Sequence, residues 1–144
     1  MKRKALVTGG AGFIGSTLVR QLLADDWDVT VFDDLSSGYA HNLNAVRSDI
    51  RFHHDTILNT SLLEEAASGA DTLFHLAAQV SVPESIDDPL RNHAINATGT
   101  VNVLEAARRQ GVRRVVSAAS CAIYGSEPTL PKTEDMAPQP LSPY

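Results

Sequence analysis

The sequence has a single cysteine, Cys121, so no disulfide can form within the chain, and a reducing, cytoplasmic compartment is expected. It has no apolar run approaching the roughly 18 residues of a membrane span, so no membrane partner is expected. The basic start, MKRKALVTGG, is not followed by the apolar stretch of a signal peptide. Basic side chains are in the minority. Twelve Lys and Arg against 17 Asp and Glu give a net charge of −5, which argues against a nucleic-acid partner. The five histidines show no metal-ligand spacing; His53 and His54, adjacent on an expected strand, point to opposite faces. There is no internal repeat and no low-complexity segment.

What is present suits one domain with a sizeable core: 144 residues, 43% of them hydrophobic. Short apolar runs alternate with helical patterns. Lys4–Thr8 (KALVT), Asp28–Asp33 (DVTVFD), Ile50–His54, Asp71–Leu76 (DTLFHL) and Arg114–Ser117 (RVVS) read as five strands. From Phe13, the apolar Ile14, Leu18 and Leu22 recur at every fourth position, as on one face of a helix. Ser61 with Glu64 predicts a capping box opening a short helix. Asp88-Pro89 predicts the cap and first turn of a longer helix that runs to about Gln110 and stops at Gly111. The stretch DDLSSGYAHNLNAV reads as loop, and so does the segment after Gly125, with Pro128, Pro131, Pro138, Pro140 and Pro143. Strands alternating with helices predict right-handed crossovers. The expected fold is an α/β, Rossmann-type doubly wound parallel sheet of order 3-2-1-4-5.

The first strand-to-helix junction, GGAGFIG, fits two glycine spacings at once. Gly10, Gly12 and Gly15 give G-x-G-x-x-G, while Gly9, Gly12 and Gly15 give G-x-x-G-x-x-G. In either, a tight turn leaves the strand, a missing Cβ lets a pyrophosphate approach the backbone, and a third glycine lets helix and strand pack closely. The helix opening at Phe13 and Ile14 aims free N–H groups and its positive end at the anion. Alone the motif is weak. Here a strand precedes it, a helix follows it, and Asp33 closes the next strand at about the twenty-residue spacing the motif requires. Asp33 can accept hydrogen bonds from ribose hydroxyls and would repel a 2′-phosphate, so the expected cofactor is NAD rather than NADP. A glycine-rich turn with a capping aspartate and no ligand would leave that shared context unexplained.

TGGAGFIGS, with DDLSSG after the second strand, resembles the extended short-chain dehydrogenase/reductases, in particular the NAD-dependent epimerases and dehydratases of nucleotide sugars. HLAAQVSVPESIDDP, NATGTVNVLEAAR, VVSAASCAIYG and PLSPY follow in the family's order, so the resemblance covers the whole chain. It implies that Asp33, Asp34 and the Ser37-Gly38 turn hold the adenosine ribose. It implies further that Asp55 with Thr56 holds the adenine edge, and that Leu76, Ala77 and Ala78 lie under the nicotinamide. Small residues suit a flat ring lying close to backbone. Asn96, inside the long helix, matches a cofactor-site asparagine; an exposed, neutral asparagine is the other reading. His75 reads as a packed, hydrogen-bonded strand residue rather than a base.

Within VVSAASCAIYG, Ser120 stands at the family's position for the catalytic serine or threonine, whose hydroxyl bonds the sugar oxygen being oxidised. In the dehydratase branches an acid follows that position and expels water. Here Cys121 and Ala122 follow it, and neither can protonate a leaving hydroxyl. The decarboxylase branch, which usually keeps a glutamate there, is disfavoured for the same reason. The block looks closest to UDP-hexose 4-epimerases, and SVPESIDDP with LPKTEDMAPQPLSPY is similar to those handling UDP-N-acetylhexosamines. The resemblance implies hydride transfer at sugar C4 through a 4-keto sugar, with a UDP-sugar as substrate (UDP-glucose and UDP-galactose, or their N-acetyl forms). It also implies a homodimer built through two helices, one of them the helix of Asn96.

PLSPY aligns Tyr144 with the tyrosine of the family's Y-x-x-x-K motif, a catalytic residue that also meets the cofactor. The lysine would fall beyond Tyr144. Residues 1–144 are therefore expected to be an incomplete NAD-binding domain, with the C-terminal nucleotide-sugar domain outside this chain. Turnover by these residues alone is not expected, because a tyrosine titrating at about 10 needs a nearby cation to act as a base. A non-catalytic NAD-binding module and a dehydratase or reductase relative are the competing readings.

Overall fold

Aliphatic and β-branched runs build five strands: β1 (Lys4–Thr8), β2 (Asp28–Phe32), β3 (Ile50–His53), β4 (Thr72–His75) and β5 (Arg114–Ser117). In the computed structural model, which describes residues 2–144, they pair in parallel in the expected order β3-β2-β1-β4-β5. The chain builds outward from β1 to β3, then crosses back to place β4 on the other side of β1. The gap between the ends of β1 and β4 is the switch point at which sheets of this kind bind ligands.

The central strands β1, β2 and β4 are covered on both faces, so they alternate between two apolar environments rather than between core and solvent, while β5 at the edge stays largely exposed. On one face Ala5, Val7, Val29 and Val31 pack with Val19 and Leu22 of α1 (Phe13–Ala24) and with Leu43. Leu43 lies on a 3-10 segment, Ala40–Val46, inside the stretch expected to be loop. On the other face Leu6, Phe32 and Leu73 pack with Leu63 of α2 (Thr60–Ala67) and with Val103, Ala106 and Ala107 of α5 (Gly99–Arg109). Full burial of each leucine or valine side chain contributes about 1.5–3 kcal/mol.

Several expected boundaries differ. The cap of α2 is Asn59, whose side chain accepts from Leu62 N at 3.3 Å, and not Ser61, which lies inside the helix. Glu64 does not turn back to close a capping box: it accepts from Arg109 Nη1 at 2.7 Å, tying α2 to α5. Two short helices, α3 (Val82–Asp87) and α4 (Pro89–His93), lead into the long helix, and only α4 was expected. Asp88 caps α4 by accepting from Arg91 N at 2.9 Å, as its position before proline predicts. The helix then widens into a π-turn over Ala94–Thr98 before continuing as α5, so the single helix expected to Gln110 is interrupted. Gly111, at φ +67°, ends it with the expected left-handed residue.

Leu73→Ala should cost about 2–5 kcal/mol in urea denaturation, because it opens a cavity between sheet and helices. Leu130→Ala, at a side chain 79% exposed, should stay within about 0.5 kcal/mol. Equal effects at the two positions would contradict this placement of the core.

Candidate functional site

Beyond the carboxyl ends of β1, β2, β4 and β5 lies a cleft of about 720 Å³. Its floor is backbone. Gly9 takes φ +71°, and a Cβ there would lie 2.6 Å from Ala77 N and 2.7 Å from the Leu76 carbonyl carbon. A Cβ on Gly15 would sit 2.1 Å from Gly9 O, so the start of α1 rests directly on the turn. Gly12 differs: it has an ordinary extended conformation, and its nearest neighbour to an added Cβ is Gly9 O at 3.3 Å. Gly12 caps α1 without any side-chain hydrogen bond, which leaves the first-turn N–H groups of Phe13, Ile14 and Gly15 for a ligand. Gly10 has a packing role, its Cα facing Val31 at a distance that excludes a side chain, and it does not line the cleft.

At one end of the cleft stands Asp33, 7% exposed. Its Oδ2 accepts from Ala11 N and its Oδ1 from Leu35 N, both at 2.8 Å. The carboxylate thus ties the glycine turn to the segment after β2, where Leu35 takes φ +59°. Ala11 O is held in turn by Asn42 Nδ2 at 2.8 Å and Tyr39 N at 3.2 Å. Asp34, Ser37, Gly38 and Asp55 line the same end. Thr56 does not: its N–H turns to Asp55 Oδ1 at 2.7 Å and its hydroxyl lies 3.4 Å from Leu58 N, so the pairing of Asp55 with Thr56 is a local turn.

Leu76, Ala77, Ala78, Asn96, Ser120 and Tyr144 come together at the other end. Asn96 is neither exposed nor free. Its Oδ1 accepts from Gln79 N at 2.9 Å and its Nδ2 donates to Gln79 O at 3.0 Å, a two-point clasp on the loop after β4. Ser120 precedes a 3-10 turn, Cys121–Tyr124, and its Oγ accepts from Ala122 N at 3.2 Å. Tyr144 is placed by a residue that sequence reasoning passed over: Ser85, wholly buried in α3, accepts from Tyr144 N at 3.2 Å.

Gln79, Ser81, Glu84, Arg91 and Thr100 also line the cleft and were not anticipated. A signal for part of this group was present, since Ser81-Val82-Pro83-Glu84 is a capping box with proline in the first turn, and Ser81 Oγ does accept from Glu84 N. Gln79 Nε2 donates to Glu84 Oε2 at 3.2 Å, and Gln79 Oε1 is buried without a partner among the described residues. His75, 5% exposed, is bonded at both ring nitrogens, to Thr8 Oγ1 at 2.8 Å and Thr100 Oγ1 at 3.0 Å. In the hollow at the opposite ends of the strands, Asp71 accepts from the backbone N–H of Lys4 and from Arg113, and Arg3 lies over Trp27.

A doubly wound sheet whose switch point holds a glycine turn, an open helix start and an acid at the end of β2 defines a dinucleotide-binding protein. Residues 5–144 match the NAD dependent epimerase/dehydratase family, and the chain belongs to that family. It is 48% identical to the UDP-glucose 4-epimerase of Mycolicibacterium smegmatis over 148 residues, covering 98% of this chain and 46% of that protein. The UDP-N-acetylglucosamine 4-epimerase of Methanobrevibacter ruminantium, in complex with UDP-N-acetylmuramic acid, superposes with a TM-score of 0.92 at 37% identity, over 100% of this chain and 46% of that one. A dTDP-glucose 4,6-dehydratase from Streptomyces venezuelae with NAD and TYD bound gives 0.91 at 39% identity, over 98% and 47%. The chain thus spans less than half the length of these relatives.

Burial of His75 holds its pKa below the ordinary value of 6.5. The unfolded state therefore takes up a proton first as pH falls, so stability rises with pH in this window and is lost below about 6.5. Carboxylates such as Glu105, lowered to about 2 by Arg108 and Arg109, contribute only at more acid pH. Melting temperature should drop between about pH 6.5 and 5 in the native chain, and the drop should flatten in His75→Phe. An unchanged slope would mean that His75 titrates normally.

Proposed function

We propose that this chain is the NAD-binding part of a UDP-sugar 4-epimerase. The observation that carries the reading is the single cleft into which the glycine turn, Asp33, Ser120 and Tyr144 are all brought. The family description and the NAD in the Streptomyces structure support the cofactor. The site fits it: the floor under Gly9 and Gly12 is bare backbone where a pyrophosphate needs close approach, and Ala77 and Ala78 leave a flat surface.

When bound, NAD supplies the acceptor for the C4 hydride and the means of returning it to the other face of the sugar. The residues of the chain do the rest. N–H groups of the α1 first turn and the helix dipole hold the pyrophosphate. Asp33, with one lone pair of each oxygen engaged by backbone, keeps others for the ribose hydroxyls. Asp34, Ser37, Gly38 and Asp55 enclose the adenosine end; Leu76, Ala77, Ala78 and Asn96 shape the nicotinamide end. Ser120 Oγ bonds the sugar 4-oxygen, and the Tyr144 phenol takes its proton.

Fold likeness does not separate epimerase from dehydratase, since both kinds of relative superpose equally well. The residues favour epimerisation. Cys121 and Ala122, on the turn directly after Ser120, offer no carboxylate to protonate a leaving hydroxyl. The likeness to a UDP-N-acetylglucosamine 4-epimerase supports an N-acetylhexosamine as one substrate form. A lone exposed thiol at Cys121 suits the cytoplasm. A homodimer is supported by exposed apolar side chains on α4 and α5, Leu90 at 82%, Val101 at 63% and Leu104 at 48% exposure.

Two measurements test these readings. Titration with NAD should show saturable binding, with NADP weaker. Gly12→Val puts a branched side chain over the first-turn N–H groups of α1 and should weaken NAD by tenfold or more, about 1.4 kcal/mol, with the melting temperature reporting any general loss of fold from its contact with Gly9 O. Unchanged NAD binding in that variant would sink the cofactor reading. In sedimentation the native chain should be a dimer, and Val101→Glu with Leu104→Glu a folded monomer; a monomeric native chain would end the dimer proposal.

A further inference from the structure

Thr8 and His75 end β1 and β4 as register partners at the switch point. Around them runs a set of hydrogen bonds whose direction can be worked out atom by atom. Thr100 Oγ1 lies 2.6 Å from Asn96 O. A carbonyl only accepts, so the Thr100 hydroxyl gives its one proton there. His75 Nε2, 3.0 Å from the same Thr100 oxygen, must then donate. Burial keeps the ring neutral, so its Nδ1 is an acceptor and takes the Thr8 hydroxyl proton at 2.8 Å. The Thr8 oxygen keeps its lone pairs, and Ala77 N–H lies 3.4 Å from it, the longest link of the set.

We propose that His75 is a positioning residue for the cleft: as the Nε2–H ring it joins Thr8 to Thr100 in one directed chain of hydrogen bonds from Ala77 N–H to Asn96 O. The clasp of Asn96 on Gln79 closes this chain into a circuit. It ties the loop Ala77–Gln79 to the helix wall that faces it. The other tautomer breaks the circuit, because an Nε2 without a proton faces the Thr100 oxygen, whose own proton is given to Asn96 O. In the charged ring Nδ1 donates to Thr8 Oγ1, so that link reverses and the Thr8 proton loses its acceptor. The π-turn belongs to the same device, since the circuit takes from it both the carbonyl and the side chain of Asn96.

That the floor so held carries a nicotinamide rests on the function proposed above; the direction of the chain does not. The test uses the whole 144-residue chain, with nitrogen-15 NMR of the histidine rings and of the backbone amides. His75 should show the Nε2–H tautomer at neutral pH. Thr100→Val keeps the shape and removes the oxygen, so hydrogen exchange at Ala77 and Gln79 should quicken by about tenfold or more, and NADH binding should weaken. Thr100→Ser should restore both while melting temperature reports any general loss of fold. A protonated Nδ1 in the native chain, or unchanged Ala77 and Gln79 amides in Thr100→Val, would overturn the proposal. If the native chain binds no NADH, the cofactor reading fails, and the NMR result still decides the chain of hydrogen bonds.

Discussion

The floor of the cleft depends on a close approach between pieces of backbone. Gly9 O lies where a side chain on Gly15 would have to be, and Gly9 itself presses on the peptide between Leu76 and Ala77. Three segments far apart in sequence, the end of β1, the start of α1 and the end of β4, meet there with no side chain between them. No larger residue can be accommodated at Gly9 or Gly15 without moving a strand or a helix. From this junction the rest is positioned: α1 points its start into the cleft, β4 delivers its loop to the same place, and Asp33 reaches in from β2 to hold Ala11.

Structure and function therefore share atoms in this site. Asp33 was read from the sequence as a ligand for ribose, yet each of its oxygens already holds a backbone N–H. Losing it would release the glycine turn as well as a ribose contact. Asn96 is similar. Its amide clasps Gln79 with one N–H and one lone pair, so it fixes the loop after β4 while lining the cleft itself. The clasp falls within the π-turn, Ala94–Thr98, where helix meets loop.

Most of the architecture was legible because its signals are local. The strands are short apolar runs ended by glycine or polar residues, and β1, β5 and the strand order stand as expected. The glycine turn was legible for the same reason, since every member lies within one heptapeptide. What escaped depends on partners distant in sequence. Ser61 and Asn59 are both plausible caps for α2, and the choice falls to Asn59 because Glu64 is drawn to Arg109 on another helix. The π-turn has no composition of its own; it answers a loop seventeen positions earlier. Thr56, paired with Asp55 in the sequence reading, gives its N–H to Asp55 Oδ1 and lies outside the residues that line the cleft. The helix α3 was overlooked despite its capping box, and with it the hydroxyl of Ser85 that receives Tyr144.

The two ends of the cleft are built on different principles. The dinucleotide end is over-determined, with glycine contacts, parallel strand pairing and a carboxylate all fixing the same few backbone atoms. The end holding Ser120 and Tyr144 rests on far less: a 3-10 turn, a return of the tail in which Gln139 N meets Ile123 O at 2.7 Å, and the single bond to Ser85. A sheet and glycine turn that superpose alike on an epimerase and a dehydratase carry no information about which reaction follows. That information must lie where the structure is least constrained, because only there can a residue such as Cys121 replace an acid without disturbing the sheet. The same division explains why the cofactor class can be read from a heptapeptide, while the proposed epimerisation rests on Cys121 and Ala122 alone, the two residues after Ser120.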